Sequence, residues 1–376
     1  MPTSPSSGFD EYLRMSETIK LSICLATYNR GKFIGETLDS ILSQMHSGIE
    51  LIVVDGASPD NTPEIMAQYV LRYPQIRYYR EQENSGIDKD YDKAVGYAVG
   101  EYCWLMTDDD LLQPKAVARV LDALKEKPEL VVVNAEIRNA NLSGVLQSRR
   151  WQIIEDRQYK TGETAAFFRE AGDYLSFIGA VIIRREYWLA RERTSYFGTL
   201  FIHFGVIFQR EPIKNIYAIA EPLIVIRYGN AMWTSRGFEI WMFKWPQLVW
   251  SFNDFSKDDK EIICPLEPWR NLRKLIFLRA TGAYSFSEFR THISPRLHGA
   301  NWLRACSISM FPAKLTNLLY IGYFALKNRA DHMAWYELLR CSCASGPGRW
   351  IARFARRQEY DLWKHGLAQP ACSITK

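Results

Sequence analysis

The chain has 376 residues, enough for one large domain or two closely packed ones. Hydrophobic residues make up 47% of it and charged residues 24%, which excludes disordered and fibrous proteins. The net charge of +5 is too low to indicate a nucleic-acid-binding protein by itself. Residues 296–376 hold twelve Lys or Arg and four Asp or Glu, a net of +8, so the remainder carries −3. The basic character therefore belongs to the C-terminal part.

The seven cysteines are an odd number scattered along the chain. Cys24 and Cys103 lie in apolar runs typical of buried thiols, and Cys341 and Cys343 lack the second Cys or His pair of a zinc site. This pattern favours a reducing cytosol. Residues 1–18 are rich in Ser and Pro, lack the apolar core of a secretory signal and are expected to be mobile. No apolar run reaches the ~20 residues that a transmembrane helix needs.

The first half of the chain alternates short apolar runs with helical periods. The pattern predicts strands at 19–26, 49–54, 76–80, 101–106 and 130–134, and helices at 34–45, 62–72, 89–99 and 114–125. Such alternation predicts an α/β fold with a mainly parallel sheet and flanking helices. Ligands of such sheets bind at the C-terminal ends of the strands.

The later part of the chain is less regular. It predicts strands at 151–159 and 179–185, a helix at 187–193 and a pair of strands within 216–228. From residue 241 onward the pattern is mainly helical and rich in Trp and basic residues. The sequence therefore predicts a mostly helical C-terminal extension after the α/β part.

Acidic residues follow three of the predicted strands. Asp55 ends the second strand, Asp88 lies in the loop after the third, and Asp108, Asp109 and Asp110 follow the fourth. Since each comes after a strand, all are expected at one edge of the sheet. Three adjacent carboxylates raise one another's pKa unless a cation is present.

Mg²⁺ or Mn²⁺ would fit this edge, because these ions bind one or two carboxylates together with substrate phosphates. The alternative is a turn and capping cluster before the helix at 114–125. The first strand is followed by ATYNRGKF, with neither a G-x-G-x-x-G turn nor a P-loop lysine. The sequence therefore disfavours NAD enzymes and P-loop nucleotidases and favours a metal-bridged diphosphate.

Three segments resemble, in order and spacing, the family 2 glycosyltransferases of the GT-A fold: LSICLATYNRGKFIGETLDSILSQ, ELIVVDGASPDNTPEI and YCWLMTDDDLL. The resemblance covers residues 19–135. Two further segments resemble the abequosyltransferase-like branch, whose members add 3,6-dideoxyhexoses during bacterial O-antigen synthesis: SGIDKDYDKAVGYAVGEYCWLMTDDDLL and SFIGAVIIRREYW. The resemblance to family 2 implies a GT-A domain over 19–240, with a nucleotide-binding half at 19–135 and an acceptor-binding half at 136–240. The helical region 241–376 follows this domain.

The resemblance also implies roles for individual residues. Nucleotide-binding positions are matched by Thr27, Tyr28, Asp55, Asp88, Asp108 and Asp109. Asp108 and Asp110 match the ends of a D-x-D motif, and Asp110 is the stronger candidate metal ligand. Asp55 can accept from a pyrimidine N3–H or a cytosine amino group, so it does not identify the base. Its alternative is a turn residue.

The catalytic base departs from the family pattern. Inverting members carry an acidic pair in the second half, where this chain has GTLFIHFGVIFQR with His203. His203 is interpreted as a general base, a metal ligand or a core residue, and Asp173 is the alternative base. The stereochemistry of transfer therefore stays open.

The C-terminal region contains GRWIARFARRQ, in which Trp350, Ile351 and Phe354 alternate with arginines. This basic amphipathic helix predicts attachment to an anionic membrane surface. A basic solvated face or an oligomer contact are the alternatives. No nucleic-acid module is visible.

Together these observations predict a metal-dependent glycosyltransferase that moves a sugar from a nucleotide diphosphate to a lipid-linked saccharide in surface polysaccharide synthesis. Its expected location is the bacterial cytoplasm, on the inner face of the membrane. Two alternatives are a sugar nucleotidyltransferase and a catalytically silent nucleotide-binding subunit of a polysaccharide assembly complex. The missing acidic base keeps the silent subunit open.

Overall fold

The protein is described by a computed structural model that covers residues 19–230, 236–327, 330–357 and 359–360. The segment 1–18, predicted to be mobile, lies outside the described residues. The chain forms two compact units. The first contains residues up to 134, 153–164 and 175–224, and the second contains 135–152, 165–174 and the chain from 225 onward. The domain boundaries placed after residues 135 and 240 stay predictions.

Ten strands form one mixed sheet. They are β1 (Leu21–Thr27), β2 (Ile49–Asp55), β3 (Ile76–Arg80), β4 (Tyr102–Met106), β5 (Leu111–Leu112), β6 (Leu130–Arg138), β7 (Val145–Gln147), β8 (Arg157–Tyr159), β9 (Val181–Arg184) and β10 (Ile216–Arg227). The order is β3-β2-β1-β4-β9-β6-β10-β5, with β7 beside β6 and β8 beside β10.

The strands β3, β2, β1 and β4 are parallel neighbours. Their register places Thr27 beside Asp55, so the first two strands end at the same level. Every residue of β1, β2 and β4 is buried, which explains their continuous apolar sequences. Next to β4, the sheet continues with antiparallel β9, which separates β4 from β6. The predicted α/β fold is confirmed.

Helices connect the parallel strands and continue through the rest of the chain. They are α1 (Ile34–Leu42), α2 (Thr62–Arg72), α3 (Ile87–Tyr97), α4 (Ala116–Ala123), α5 (Thr164–Ala171), α6 (Arg185–Ala190), α7 (Ile202–Phe208), α8 (Gly237–Glu239), α9 (Trp245–Ser251), α10 (Lys257–Ile263), α11 (Leu272–Thr281), α12 (Phe286–Glu288), α13 (Gly299–Met310), α14 (Ala313–Leu326), α15 (His332–Arg340) and α16 (Gly346–Ala355). Helix α1 buries Ile34, Leu38 and Ile41, the face expected from its periodicity. The helical C-terminal extension is likewise confirmed.

Three sequence predictions need correction. The expected pair of strands within 216–228 is one strand, β10, which contains Pro222. Proline lacks the N–H of one hydrogen bond between strands, but its fixed φ is compatible with an extended backbone, so the strand continues through it. The strand expected at 151–159 is limited to Arg157–Tyr159. The helix expected at 187–193 spans Arg185–Ala190.

The second unit is mainly helical, and Asn317 joins three of its helices. The buried Asn317 amide donates to the carbonyls of Ala280 (3.1 Å) and Leu338 (2.9 Å), near the ends of α11 and α15. Each carbonyl lies in the last turn of its helix, where carbonyl groups have no intrahelical donor. The Asn317 amide supplies a hydrogen bond to each of them. Within the described residues, no helix is long and apolar enough to cross a membrane.

We expect Asn317→Leu to lower the free energy of unfolding by about 1–3 kcal/mol, because two buried carbonyls lose their amide donor and keep only the weaker Cys341 thiol at 3.6 and 3.4 Å. Urea unfolding followed by tryptophan fluorescence measures the change. Asn301→Leu is the matched control, since Asn301 is exposed on α13, and should change stability by less than about 0.5 kcal/mol. Equal effects of the two substitutions would contradict a bridging role for Asn317.

Candidate active site

Asp55 is held rigidly at the end of β2. Its carboxylate is fully buried, with Oδ1 accepting from the Ser58 amide (2.8 Å) and Oδ2 from the Tyr78 hydroxyl (2.6 Å). Burial and this bond raise the pKa of Tyr78. Each carboxylate oxygen can accept a second hydrogen bond, so Asp55 can still receive an N–H. Tyr78 was not identified from the sequence, although its strand is adjacent to β2.

The loop after β1 is fixed by side chains from the loop after β2. The amide of Asn29 donates to the Ser58 hydroxyl (2.9 Å), that of Arg30 to Thr62 (3.0 Å) and that of Gly31 to Asp60 (2.9 Å). A Cβ atom on Gly31 would lie 2.1 Å from Asn61 Oδ1 and 3.1 Å from the Thr62 amide nitrogen, so any other residue there would force Asn61 to move. These contacts position Thr27, Tyr28 and Arg30.

The three carboxylates after β4 are gathered around one arginine. Asp108, Asp109 and Asp110 are between 3% and 9% exposed. Arg30 Nε lies 3.3 Å from Asp108 Oδ1, and Arg30 Nη2 lies 3.4 Å from Asp109 Oδ2. Arg30 was absent from the sequence-based site, although it belongs to the ATYNRGKF segment. The arrangement joins the loop after β1 to the end of β4.

Asp108 is the carboxyl most affected by this environment. Burial raises its pKa to about 6, against the opposing effects of the Arg30 charge and the Tyr28 amide. Asp109 raises it further, as expected for like charges. Three buried carboxylates thus stand in a row, and the Arg30 guanidinium is paired with the first two of them.

Asp110 carries a different set of contacts. Its Oδ2 accepts from the Thr107 hydroxyl (2.5 Å), and its backbone carbonyl accepts from Thr37 (2.9 Å). Within the described residues, no three His, Cys, Asp or Glu side chains are grouped as ligands of one ion. The oxygen donors and excess negative charge fit Mg²⁺ or Mn²⁺ if a diphosphate completes the coordination, because these ions commonly use only one or two carboxylates.

Asp88 lies at the start of α3 and faces the segment before α7. Its Oδ2 accepts from the amides of Gly198 (2.8 Å) and Leu200 (2.9 Å), and its Oδ1 accepts from Ile202 (3.1 Å). The side chain is buried. Its predicted nucleotide contact stays a prediction, and these bonds give Asp88 a second possible role.

Asp90 lies two residues after Asp88 on α3 and faces the end of β2. A Cβ atom on Gly56 would lie 2.6 Å from Asp90 Oδ2, so the absence of a side chain at Gly56 permits this approach. Asp90 Oδ1 accepts from Ser85 (2.9 Å), and burial raises the pKa of its carboxyl. Sequence reasoning missed this residue; the spacing of two from Asp88 on a helix predicts a different face.

His203 is buried within α7. Its Nε2 lies 2.8 Å from the Leu175 carbonyl, which requires the N–H on that nitrogen, and burial lowers its pKa to about 4. Its Nδ1 has no hydrogen-bond partner among the described residues. The ring is therefore neutral at physiological pH and can accept only through Nδ1.

Asp173, the alternative base, belongs to the second unit. Its side chain is 62% exposed and pairs with Arg150 Nη2 at 3.1 Å. Its catalytic role stays a prediction.

The Glycosyl transferase family 2 model matches residues 22–191. The chain is 26% identical over 230 residues to abequosyltransferase RfbV of Salmonella typhimurium, which covers 58% of this chain and 69% of that protein. It is 29% identical over 151 residues to chondroitin synthase of Escherichia coli, which covers 40% of this chain but only 22% of the synthase.

Among solved structures, residues 1–349 of S. aureus TarS in complex with UDP align with 93% of this chain and 90% of that one. The identity is 15% and the TM-score 0.49.

The matched segment contains β1 to β4, the loop with Arg30 and the three carboxylates after β4. The match to glycosyl transferase family 2, together with the abequosyltransferase relative, supports a glycosyltransferase.

Proposed function

We propose that the protein transfers a sugar from a nucleotide diphosphate to a lipid-linked saccharide in bacterial surface polysaccharide synthesis, with the help of Mg²⁺ or Mn²⁺. The observation that carries this proposal is the buried excess of carboxylates around Arg30 at the end of β4. The similarity to an abequosyltransferase supports a dideoxyhexose such as abequose as the sugar.

The nucleoside would bind between the ends of β1 and β2. Asp55 can accept an N–H of the base, since Ser58 and Tyr78 already fix its orientation. Thr27 and Tyr28 belong to the neighbouring loop end, and Asp88 is the remaining predicted contact. Asp55 accepts from uracil, thymine or cytosine alike, so the base follows from binding measurements.

The diphosphate would bind beside the carboxylates after β4. Asp110 and Asp108 would hold the metal ion, with Asp109 and Arg30 beside the phosphates. When bound, the metal ion would stabilise the charge on the leaving diphosphate. A guanidinium pairs with phosphate oxygens as well as with carboxylates. When the diphosphate binds, Arg30 could therefore exchange its ion pairs with Asp108 and Asp109 for ion pairs with the phosphates.

Asp110→Ala should abolish sugar transfer and weaken metal-dependent diphosphate binding at least about tenfold, because a ligand to the ion is lost. Calorimetric titration with CDP, UDP, dTDP and GDP, each with and without Mn²⁺, measures this. CDP binding would favour a dideoxyhexose donor.

Asp122→Ala is the matched control, since exposed Asp122 pairs only with neighbouring Lys125 among the contacts described and should bind like wild type. Full transfer by the Asp110 variant would refute its metal role. A folded wild-type protein that binds none of the four diphosphates would refute the proposed function.

His203 is proposed to be a structural residue that ties α7 to Leu175, with Asp173 left as the candidate base. A proton on Nδ1 would have to be accommodated in a buried place, which explains the lowered pKa. A base with a pKa near 4 is a weak proton acceptor at neutral pH.

His203 should therefore destabilise the fold in acid. Its pKa is about 4 in the folded chain against 6.5 when unfolded, so the unfolded state binds more protons as the pH falls below about 6.5. This costs up to about 3 kcal/mol by pH 4. His203→Gln keeps a donor for Leu175 but cannot titrate, so stability should fall less between pH 6.5 and 4.

Urea unfolding across that pH range compares wild type with His203→Gln, and His46→Gln serves as control because His46 is exposed. An unchanged pH profile in His203→Gln would contradict the buried neutral ring. A large loss of transfer at pH 7 in a stable variant would return His203 to the candidate bases.

Helix α16 is proposed to bind an anionic membrane surface. Gly348 and Ala352 are buried on one side of it, whereas Trp350 is 69% and Phe354 83% exposed, with their rings stacked 6.0 Å apart. The exposed side also carries arginines: Arg349, Arg353 and, just beyond the helix, Arg357. Apolar anchors beside cations match the interface of anionic lipids.

Trp350→Ser with Phe354→Ser should lower binding to phosphatidylglycerol-containing vesicles by about tenfold or more, while vesicles of phosphatidylcholine alone bind weakly. Co-sedimentation measures this. Leu71→Ser with Ile154→Ser is the matched control, because both residues are more than 80% exposed in the first unit. Equal losses in both double variants, or no binding by wild type, would contradict the proposed attachment.

A further inference from the structure

We infer that Asp88 is a positioning residue, which fixes the segment Gly198–Ile202 beside the nucleotide-binding site and does not itself contact the nucleotide. This inference rests on the proposed function for the identity of that site. It replaces the nucleotide contact implied by family resemblance with a role argued from the three amides that donate to this carboxylate.

The hydrogen bonds of Asp88 are concentrated on one short stretch of backbone. Amides at 198, 200 and 202 all point at the same carboxylate, at 2.8, 2.9 and 3.1 Å. Hydrogen bonds to a charged acceptor are stronger than those between neutral groups. Backbone amides occupy three of the roughly four acceptor sites of this carboxylate, one more than are occupied at Asp55, and the side chain is only 3% exposed, so Asp88 has little acceptor capacity left for a nucleotide hydroxyl.

The segment needs such an anchor. Gly198 has φ +83° and Leu200 has φ +73°, and a left-handed backbone is unfavourable for leucine. Alternate amides can converge on one acceptor only in an irregular conformation of this kind. The strained backbone therefore persists because the carboxylate holds it.

Helix α3 places this segment beside the candidate site. Asp90 on the same first turn approaches Gly56, directly after Asp55. The Tyr91 hydroxyl donates to the Met106 carbonyl (3.0 Å), at the end of β4. The start of α3 thus contacts the ends of both β2 and β4, and Asp88 extends this framework to Gly198–Ile202.

Further side chains of α3 hold the chain just before that segment. Asp92 pairs with Arg193 (2.7 Å) and accepts from the Trp188 indole (2.9 Å), while Lys89 lies 5.8 Å from the centre of the Phe197 ring. Side chains of α3 therefore contact the chain at several points between residues 188 and 202. Asp88 is the side chain of α3 that accepts from three amides among the last five of these residues.

The test uses the full chain with Asp88→Asn, and with Glu192→Gln as matched control. Glu192 is a carboxylate that accepts from the Ser195 amide (2.8 Å) in the same stretch, but holds none of the three amides above. Hydrogen exchange of peptides spanning 195–204 is measured by mass spectrometry, and diphosphate affinity by calorimetry with CDP, UDP, dTDP and GDP plus Mn²⁺. Thermal unfolding checks that each variant is folded.

Asp88→Asn should speed exchange at Gly198, Leu200 and Ile202 about tenfold or more, since an amide side chain cannot accept from all three. The dissociation constant of the diphosphate should change less than about threefold. Release of diphosphate from UDP-glucose, GDP-mannose, dTDP-glucose and CDP-glucose should lose about tenfold or more in kcat, with KM nearly unchanged, because the segment orients the reacting groups beside the site and does not bind the nucleotide. Glu192→Gln should leave these exchange rates and kcat unchanged.

A loss of diphosphate affinity above threefold in folded Asp88→Asn would overturn the inference, because it would indicate nucleotide contact. Unchanged exchange at the three amides would overturn it as well. If wild type binds no diphosphate, the proposed function fails, and the exchange result alone still decides whether Asp88 fixes the segment.

Discussion

The structure depends on the burial of three successive carboxylates at the end of β4. Charge is costly to bury unless it is paired, and here one guanidinium, that of Arg30, faces Asp108 and Asp109. Arg30 can do this only because the loop after β1 is pinned to Ser58, Asp60 and Thr62. One electrostatic requirement thus ties together the ends of β1, β2 and β4, the same edge at which the cation is proposed to bind.

Helix α3 is the second element on which the site depends. Its residues alternate in what they hold: Asp88 and Asp92 face the backbone that leads into α7, whereas Asp90 and Tyr91 face the ends of β2 and β4. Four acidic or aromatic side chains within five residues are therefore used in two directions. The segment Gly198–Ile202 is thus connected to the ends of β2 and β4 through contacts of one helix, α3.

Sequence patterns predicted the parallel part of the fold well, because fully buried strands give continuous apolar runs and helices give a 3.6-residue period. They failed where long-range pairing decides the structure: nothing local showed that β9 lies between β4 and β6, or that the chain passes Pro222 without turning. In the site, family motifs located the carboxylates after strands. Arg30 and Tyr78 were missed because their roles come from neighbouring strands, and the three amides around Asp88 come from residues 110 or more positions away.

Exposed large apolar side chains are concentrated in the second unit. Nine of the eighteen large apolar side chains that are exposed among the described residues lie in 299–357, a small part of the chain. The run from 289 to 330 contains no acidic residue. An exposed apolar surface of this kind is costly in water, and an excess of like charges is self-repelling. Both costs are lower at a negatively charged lipid interface, which is the environment proposed for helix α16.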